Sequence, residues 1–171
     1  NTPEHLTTLP FTRMLSGPFD YTPGNFNFDY KTPSGARVQT TLANQLALYV
    51  IVFSPLQMAS DLPENYEGKP EFKFIKEVPC TWSDTKVIDS KIGEYVIMAR
   101  QDWEGKNWYL GAITDSNARE QKVNLSFLDA NKEYQAEIYS DGANANYKTN
   151  PYPVEIIKKT VNSTTVLNWN L

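Results

Sequence analysis

Strand, loop, helix and strand signals follow one another over residues 1–82, and period-two alternation takes over from residue 83. In a chain of 171 residues, these two patterns predict an α/β piece, the last strand–helix units of a TIM-type barrel, followed by an all-β antiparallel sandwich. A complete eight-unit barrel needs roughly 250 residues, so only about two of its strands have room here.

The elements follow in order. Leu6 to Ser16 reads as a strand buried on both faces, centred on Leu9–Leu15. Gly17-Pro18 and Thr22-Pro23-Gly24 end it as loop. Arg13 inside such a strand is expected to pair with a carboxylate from a neighbouring strand. Asn25 to Arg37 is polar and aromatic, with Pro33-Ser34-Gly35 as a turn. From Thr40, the apolar positions Leu42, Leu46, Tyr49, Val50 and Phe53 recur at helical spacing. Thr40 or Thr41 can cap that helix, and Pro55 forbids its continuation. Leu56-Gln57-Met58-Ala59 reads as a second short strand. Pro70 suits the first turn of a short helix that carries Phe72, Ile75 and Val78 on one face.

After Pro79 the strand runs are Tyr95–Arg100, Trp108–Thr114, Lys122–Phe127, Glu133–Ser140, Val154–Lys159 and Thr165–Trp169. Glu104-Gly105-Lys106, Asp115-Ser116-Asn117, Asp129-Ala130-Asn131 and Asp141-Gly142 separate them as turns. Alternating runs at roughly ten-residue spacing argue for an antiparallel sandwich. Val96, Met98, Tyr109, Gly111, Ile113, Val123, Leu125, Ile138 and Val166 are the expected interior and sheet contacts. The sandwich is expected to fold alone. The barrel piece is expected to lack partners for Leu42, Leu46, Val50 and Phe53 and to leave strand edges open.

Composition narrows the partners. Net charge is −4 and the isoelectric point is near 5.0. With no Lys/Arg cluster, a nucleic-acid partner is not expected. Cys80 is the single cysteine and His5 the single histidine. A zinc site of the usual Cys/His kind therefore cannot be assembled from this chain alone. No apolar run approaches the roughly 20 residues of a membrane span. The chain opens without Met and carries no signal peptide, which reads as a fragment or a processed product.

Asp20, Tyr21 and Asp61 are the candidate substrate-binding residues. Asp20 and Asp61 each follow the end of a predicted strand, where barrel enzymes place their chemistry. A structural reading stands beside each: Asp20 as the cap of the Thr22-Pro23 turn, Asp61 as a helix-entry residue before Leu62-Pro63. Trp82, Trp103, Trp108 and Trp169 are not adjacent in the strand pattern. Core packing explains them better than a carbohydrate platform.

The segments Leu9–Gly24, Gln45–Tyr66, Phe72–Trp82 and Gly111–Ala118 carry a resemblance. Its most specific parts are Gly17-Pro18-Phe19-Asp20-Tyr21-Thr22-Pro23-Gly24 and the run from Ser54-Pro55-Leu56 to Glu64-Asn65-Tyr66. In these the chain resembles glycoside hydrolase family 97, the α-glucosidase and α-galactosidase family. The resemblance implies an N-terminal sandwich, a central barrel and a C-terminal sandwich. Residues 1–82 would be the end of the barrel and 83–171 the C-terminal sandwich. It also implies that the catalytic carboxyls and the calcium-binding glutamates lie upstream, so that no catalytic residue and no metal ligand falls on this chain. Expected partners are the upstream part of the same enzyme, an α-linked oligosaccharide or glycoside, and further copies in a homo-oligomer. The expected location is periplasmic or secreted. Asn25 departs from the family, where an apolar residue is usual.

Overall fold

Residues from 82 onward form seven antiparallel strands in three sheets, in a computed structural model that describes residues 2–29 and 37–171. The strands are β1 (Trp82–Lys91), β2 (Tyr95–Asp102), β3 (Trp108–Thr114), β4 (Glu120–Asn124), β5 (Tyr134–Asp141), β6 (Val154–Val161) and β7 (Val166–Asn170). They pair in the orders β1-β2-β3, β4-β7 and β5-β6. All six expected strand runs find a counterpart, but Lys122–Phe127 is strand only to Asn124 and gives way to a turn at Ser126–Phe127. β1 was not among them, because its charged residues Asp84, Lys86, Asp89 and Lys91 hide the alternation. The expected turn Pro33-Ser34-Gly35 lies outside the described residues.

β2 explains why the three-stranded sheet sits centrally. Val96, Ile97 and Ala99 are fully buried, and Met98 nearly so. Successive side chains point to opposite faces, so a continuous apolar run means that both faces are covered. On one face Val96, Met98 and Ile113 meet Leu6, Leu9, Leu48, Ile51 and Val52. On the other, Ile97 meets Val123, Leu125, Leu128, Val161 and Leu167.

The first of these faces belongs to the helices α1 (Pro3–Thr8) and α2 (Leu42–Ile51); α3 (Pro63–Tyr66) and α4 (Phe72–Glu77) follow. The Thr41 hydroxyl caps α2 by accepting from the Asn44 N–H at 3.2 Å. Leu46, Leu48, Tyr49, Val50 and Ile51 are each at most 2% exposed. A helix this apolar must be enclosed on most sides, and α2 packs on β2, β3 and β5. Helix and sheet approach closely at Gly111 of β3. A Cβ there would lie 2.9 Å from the Ala47 carbonyl oxygen and 3.0 Å from Val50 Cβ. The expected lack of partners for α2 is thus corrected: the sheet itself supplies them. Arg100 of β2 fastens the join. Its Nε donates to the Val50 carbonyl at 2.6 Å and Nη1 to the Thr85 hydroxyl at 2.9 Å. Its guanidinium also lies 5.6 Å from the Phe53 ring centre. Burial lowers the Arg100 pKa to about 10, so it remains cationic at neutral pH, at the negative end of α2.

Two expected strands are not strands. Leu9–Leu15 lies in two 3-10 turns, Leu9–Phe11 and Arg13–Ser16, after α1. The Thr2 hydroxyl caps α1 and Pro3 sits in its first turn, so helix-start chemistry outweighs the apolar run. Arg13 is exposed rather than buried against a carboxylate. It donates to the Pro18 carbonyl at 3.4 Å and lies over the Phe19 ring. Leu56–Ala59 has no regular structure, for want of a neighbouring strand among the described residues.

Candidate functional site

Helix α2 organises the two loops that carry Asp20, Tyr21 and Asp61. Gln45 is buried, and its Oε1 accepts from the N–H groups of Gly24 at 2.9 Å and Asn25 at 3.2 Å. Its Nε2 donates to the Thr40 hydroxyl at 3.1 Å. One turn on, the Tyr49 hydroxyl lies 3.1 Å from both the Pro23 and the Met58 carbonyls. One phenol proton shared between the two carbonyls ties the loops to each other and to the helix. Burial pushes the Tyr49 hydroxyl well above its ordinary pKa, with Tyr66 adding to the effect. It is a fixed donor, not a titrating group. The loops also touch directly: the Ser60 N–H donates to the Pro23 carbonyl at 3.1 Å, and the Ser60 hydroxyl to Asn25 Oδ1 at 2.7 Å.

Asp61 is the second knot. Its Oδ2 accepts from the N–H groups of Phe26 at 2.8 Å and Asn27 at 2.6 Å. Its Oδ1 accepts from the Leu62 N–H at 2.8 Å and Asn65 Nδ2 at 2.6 Å. Partial burial works to raise its pKa, but the hydrogen bonds from Asn65, Asn27, Leu62 and Phe26 outweigh this and hold it below the usual carboxylate value. Tyr66 completes the knot by accepting from the Asp61 N–H at 2.8 Å and donating to the Gly24 carbonyl at 2.8 Å. Asp61 therefore holds the Phe26–Asn27 backbone through Oδ2 and its own loop, at Leu62 and Asn65, through Oδ1.

Asp20 is exposed at the tip of the first loop. Tyr21 beside it is half-buried, with its ring 5.8 Å from that of Phe19. Burial raises the Tyr21 pKa. The structure brings the two loops together but gives the candidates different characters: Asp20 open to a ligand, Asp61 committed to the backbone. Gln45, Tyr49 and Tyr66 were missed as site-building residues. Gln45 did leave a signal, a carboxamide between Leu42 and Tyr49 on the apolar face of a helix.

The outer side of the second loop is open. Leu56, Met58 and Leu62 are 72%, 49% and 60% exposed. Among the described residues, the N–H groups of Leu56, Gln57, Met58 and Ala59 find no hydrogen-bond partner. Gln57 Oε1 is buried and likewise unpaired. No group of three or more His, Cys, Asp and Glu among the described residues could hold a metal ion. No described helix is long and apolar enough to cross a membrane.

The family model described as glycosyl-hydrolase 97 C-terminal, oligomerisation, matches residues 81–171. The chain belongs to glycoside hydrolase family 97. It is 41% identical to a retaining α-galactosidase of Bacteroides thetaiotaomicron over 161 residues, covering 86% of this chain and 23% of that protein. A probable retaining α-galactosidase of Streptomyces bingchenggensis is 34% identical, over 73% of this chain and 19% of that protein. Among solved structures, a family 97 enzyme from Pseudoalteromonas sp. strain K8 in complex with panose superposes with a TM-score of 0.94. It is 46% identical and covers all of this chain and 27% of its own. A β-arabinopyranosidase, 24% identical, shares the fold with a TM-score of 0.80 over 99% of this chain and 26% of its own. The chain thus spans about a quarter of the length of the family 97 relatives it matches.

Proposed function

We propose that this chain is the C-terminal portion of a glycoside hydrolase that cleaves α-linked glucosides or galactosides. Residues 1–82 are the end of its catalytic (β/α) barrel and 83–171 its C-terminal sandwich. The observation that carries this reading is the open second loop. Four successive N–H groups without partners among the described residues, beside exposed Leu56 and Met58, are what an extended segment presents when the strands on both of its sides belong to another part of the polypeptide. Families of relatives that share this region and are named for glycoside hydrolysis support it.

In this reading Asp20 and Tyr21 lie on the rim and contact sugar hydroxyls, while Asp61 holds the rim loop in shape. The catalytic carboxyls come from upstream. Calcium, by family resemblance, is held by upstream glutamates. We place the parent enzyme in the periplasm or outside the cell. The purified chain should not hydrolyse nitrophenyl α-glucosides or α-galactosides, and the same chain within its full-length parent should. Turnover by the chain alone that disappears in Asp20→Asn or Asp61→Asn would overturn the assignment.

A second reading is favoured by the description of the matching family model, which names oligomerisation. The sandwich would then build assemblies of the enzyme as well as packing on the barrel.

A further inference from the structure

The sandwich contains a cleft of about 990 Å³, lined by β3, β5 and β7, one face of β6, and the start of α2. Its lining has a telling parity. From β6 only Glu155, Ile157, Lys159 and Val161 reach it, every second residue, so it presents a face. From β5 and β7 every residue reaches it, and from β3 residues of both parities do. Consecutive residues line a groove only where the groove runs along a strand edge. Among the described residues each of these strands is paired on one side alone, so three unpaired edges open into one cleft.

The ladders show which backbone groups point there. Arg119 and Leu171 exchange both N–H···O bonds, at 2.9 and 2.8 Å. Alternation along an antiparallel pair then makes Lys122↔Asn168 and Asn124↔Val166 non-hydrogen-bonded pairs. The N–H and C=O groups of Val166, Asn168 and Asn170 therefore turn away from β4, toward the cleft. On β3, the Asp115 N–H donates to the Glu94 carbonyl at 2.7 Å. By the same alternation Leu110 and Ala112 direct their backbone groups to the open side.

Natural proteins blunt edges that must stay unpaired, with charges, bulges or proline. β1, the other edge of the central sheet, is blunted in this way, with two register shifts and Asp84, Lys86, Asp89 and Lys91. β3 and β7 carry no charged residue, no proline and no register shift. The cleft walls also hold exposed apolar side chains: Ile157 is 40% and Val166 48% exposed. Trp108 and Trp169 beside them are half-buried.

We propose that this cleft is the self-association surface of the chain, where the open edges of β3 and β7 receive strand pairing and apolar contact from a second copy. The proposal rests on the assembly reading of the family description and names the surface it uses. An isologous pair would bring the same edges of two copies together.

Sedimentation velocity over a range of concentrations, with hydrogen exchange at both ends of the range, tests it. Asn168→Pro removes one cleft-facing N–H without touching the β4 ladder, and Val166→Lys adds the charge this edge lacks. In a chain that dimerises, each should raise the dissociation constant at least tenfold while the circular dichroism spectrum is kept. Amides of Asn168, Asn170, Leu110 and Ala112 should be protected only where the dimer is populated. A dimer untouched by both variants, with those amides exchanging freely, overturns the surface and leaves assembly standing. A wild-type chain that is monomeric at every concentration overturns both. Protection of those amides in a monomeric full-length parent would assign the cleft to the upstream chain instead and overturn the proposal.

Discussion

Gly111→Ala tests the seating of helix α2 on the sheet. The added methyl would stand 2.9 Å from the Ala47 carbonyl oxygen, 3.0 Å from Val50 Cβ and 3.2 Å from Ile51 Cγ1. The nearest atom is main chain, so no side chain can swing aside; α2 must lift from β3 by several tenths of an ångström. Overpacking of this kind costs about 1–3 kcal/mol. In a domain of this size each kcal/mol lowers the melting temperature by about 2–4 °C, so a fall of about 2–12 °C is expected. Urea denaturation followed by tryptophan fluorescence gives the free energy. The midpoint should drop with the slope unchanged, because the surface exposed on unfolding stays the same. An unchanged or raised midpoint would mean that α2 does not rest on β3, and the account of a helix enclosed by the sandwich would fail.

Asp61→Asn puts an amide NH₂ against two N–H groups that now share a carboxylate oxygen, and should cost about 1–3 kcal/mol by the same denaturation. Asp20→Asn, at an exposed position, should stay within about 0.5 kcal/mol. The Glu137 carboxylate of β5 is met by Lys73 Nζ at 2.7 and 2.8 Å, by the Tyr139 hydroxyl and by Lys158 Nζ at 3.4 Å, and its pKa falls to about 2. A depressed carboxyl stabilises the fold above its unfolded pKa and loses that contribution as pH falls. Stability should therefore decline from about pH 4.5 toward pH 2, and Glu137→Gln should flatten that decline in a pH series of thermal melts. Arg100→Met leaves the Val50 carbonyl without its side-chain donor and should cost about 1–3 kcal/mol, read by chemical denaturation.

The strand half was legible because turn residues bound β2, β3, β5, β6 and β7, and each is either an alternating run or, in β2, a continuous apolar one. α2 and its Thr41 cap were legible for the equivalent reason at helical spacing. β1 was not, since an edge strand carries polar residues on every side. Leu9–Leu15 misled because an apolar run alone does not distinguish a buried strand from a largely exposed turn, with Leu15 79% exposed; Thr2, Pro3 and Pro10 were the decisive residues, and they are local. Leu56–Ala59 shows the opposite failure. Its residues fit a strand, but a strand is a relation between two segments, and the described residues hold only one. The loop site followed the same division. Asp20 and Asp61 could be picked out by position, whereas their different duties depend on which N–H groups lie within reach, and two of those that hold Asp61 come from a segment more than thirty residues away.

The double coverage of β2 bears on where this protein divides. A change of pattern near residue 82 invites a cut there, yet Val96, Met98 and Ile113 would emerge from it as a bare apolar floor that α1 and α2 now roof. The compositional seam is therefore not a mechanical one. Heat or denaturant should find a single cooperative unit, with the helices and the central sheet melting together. A clone begun at β1 should give insoluble material, whereas one begun ahead of α1 keeps its roof.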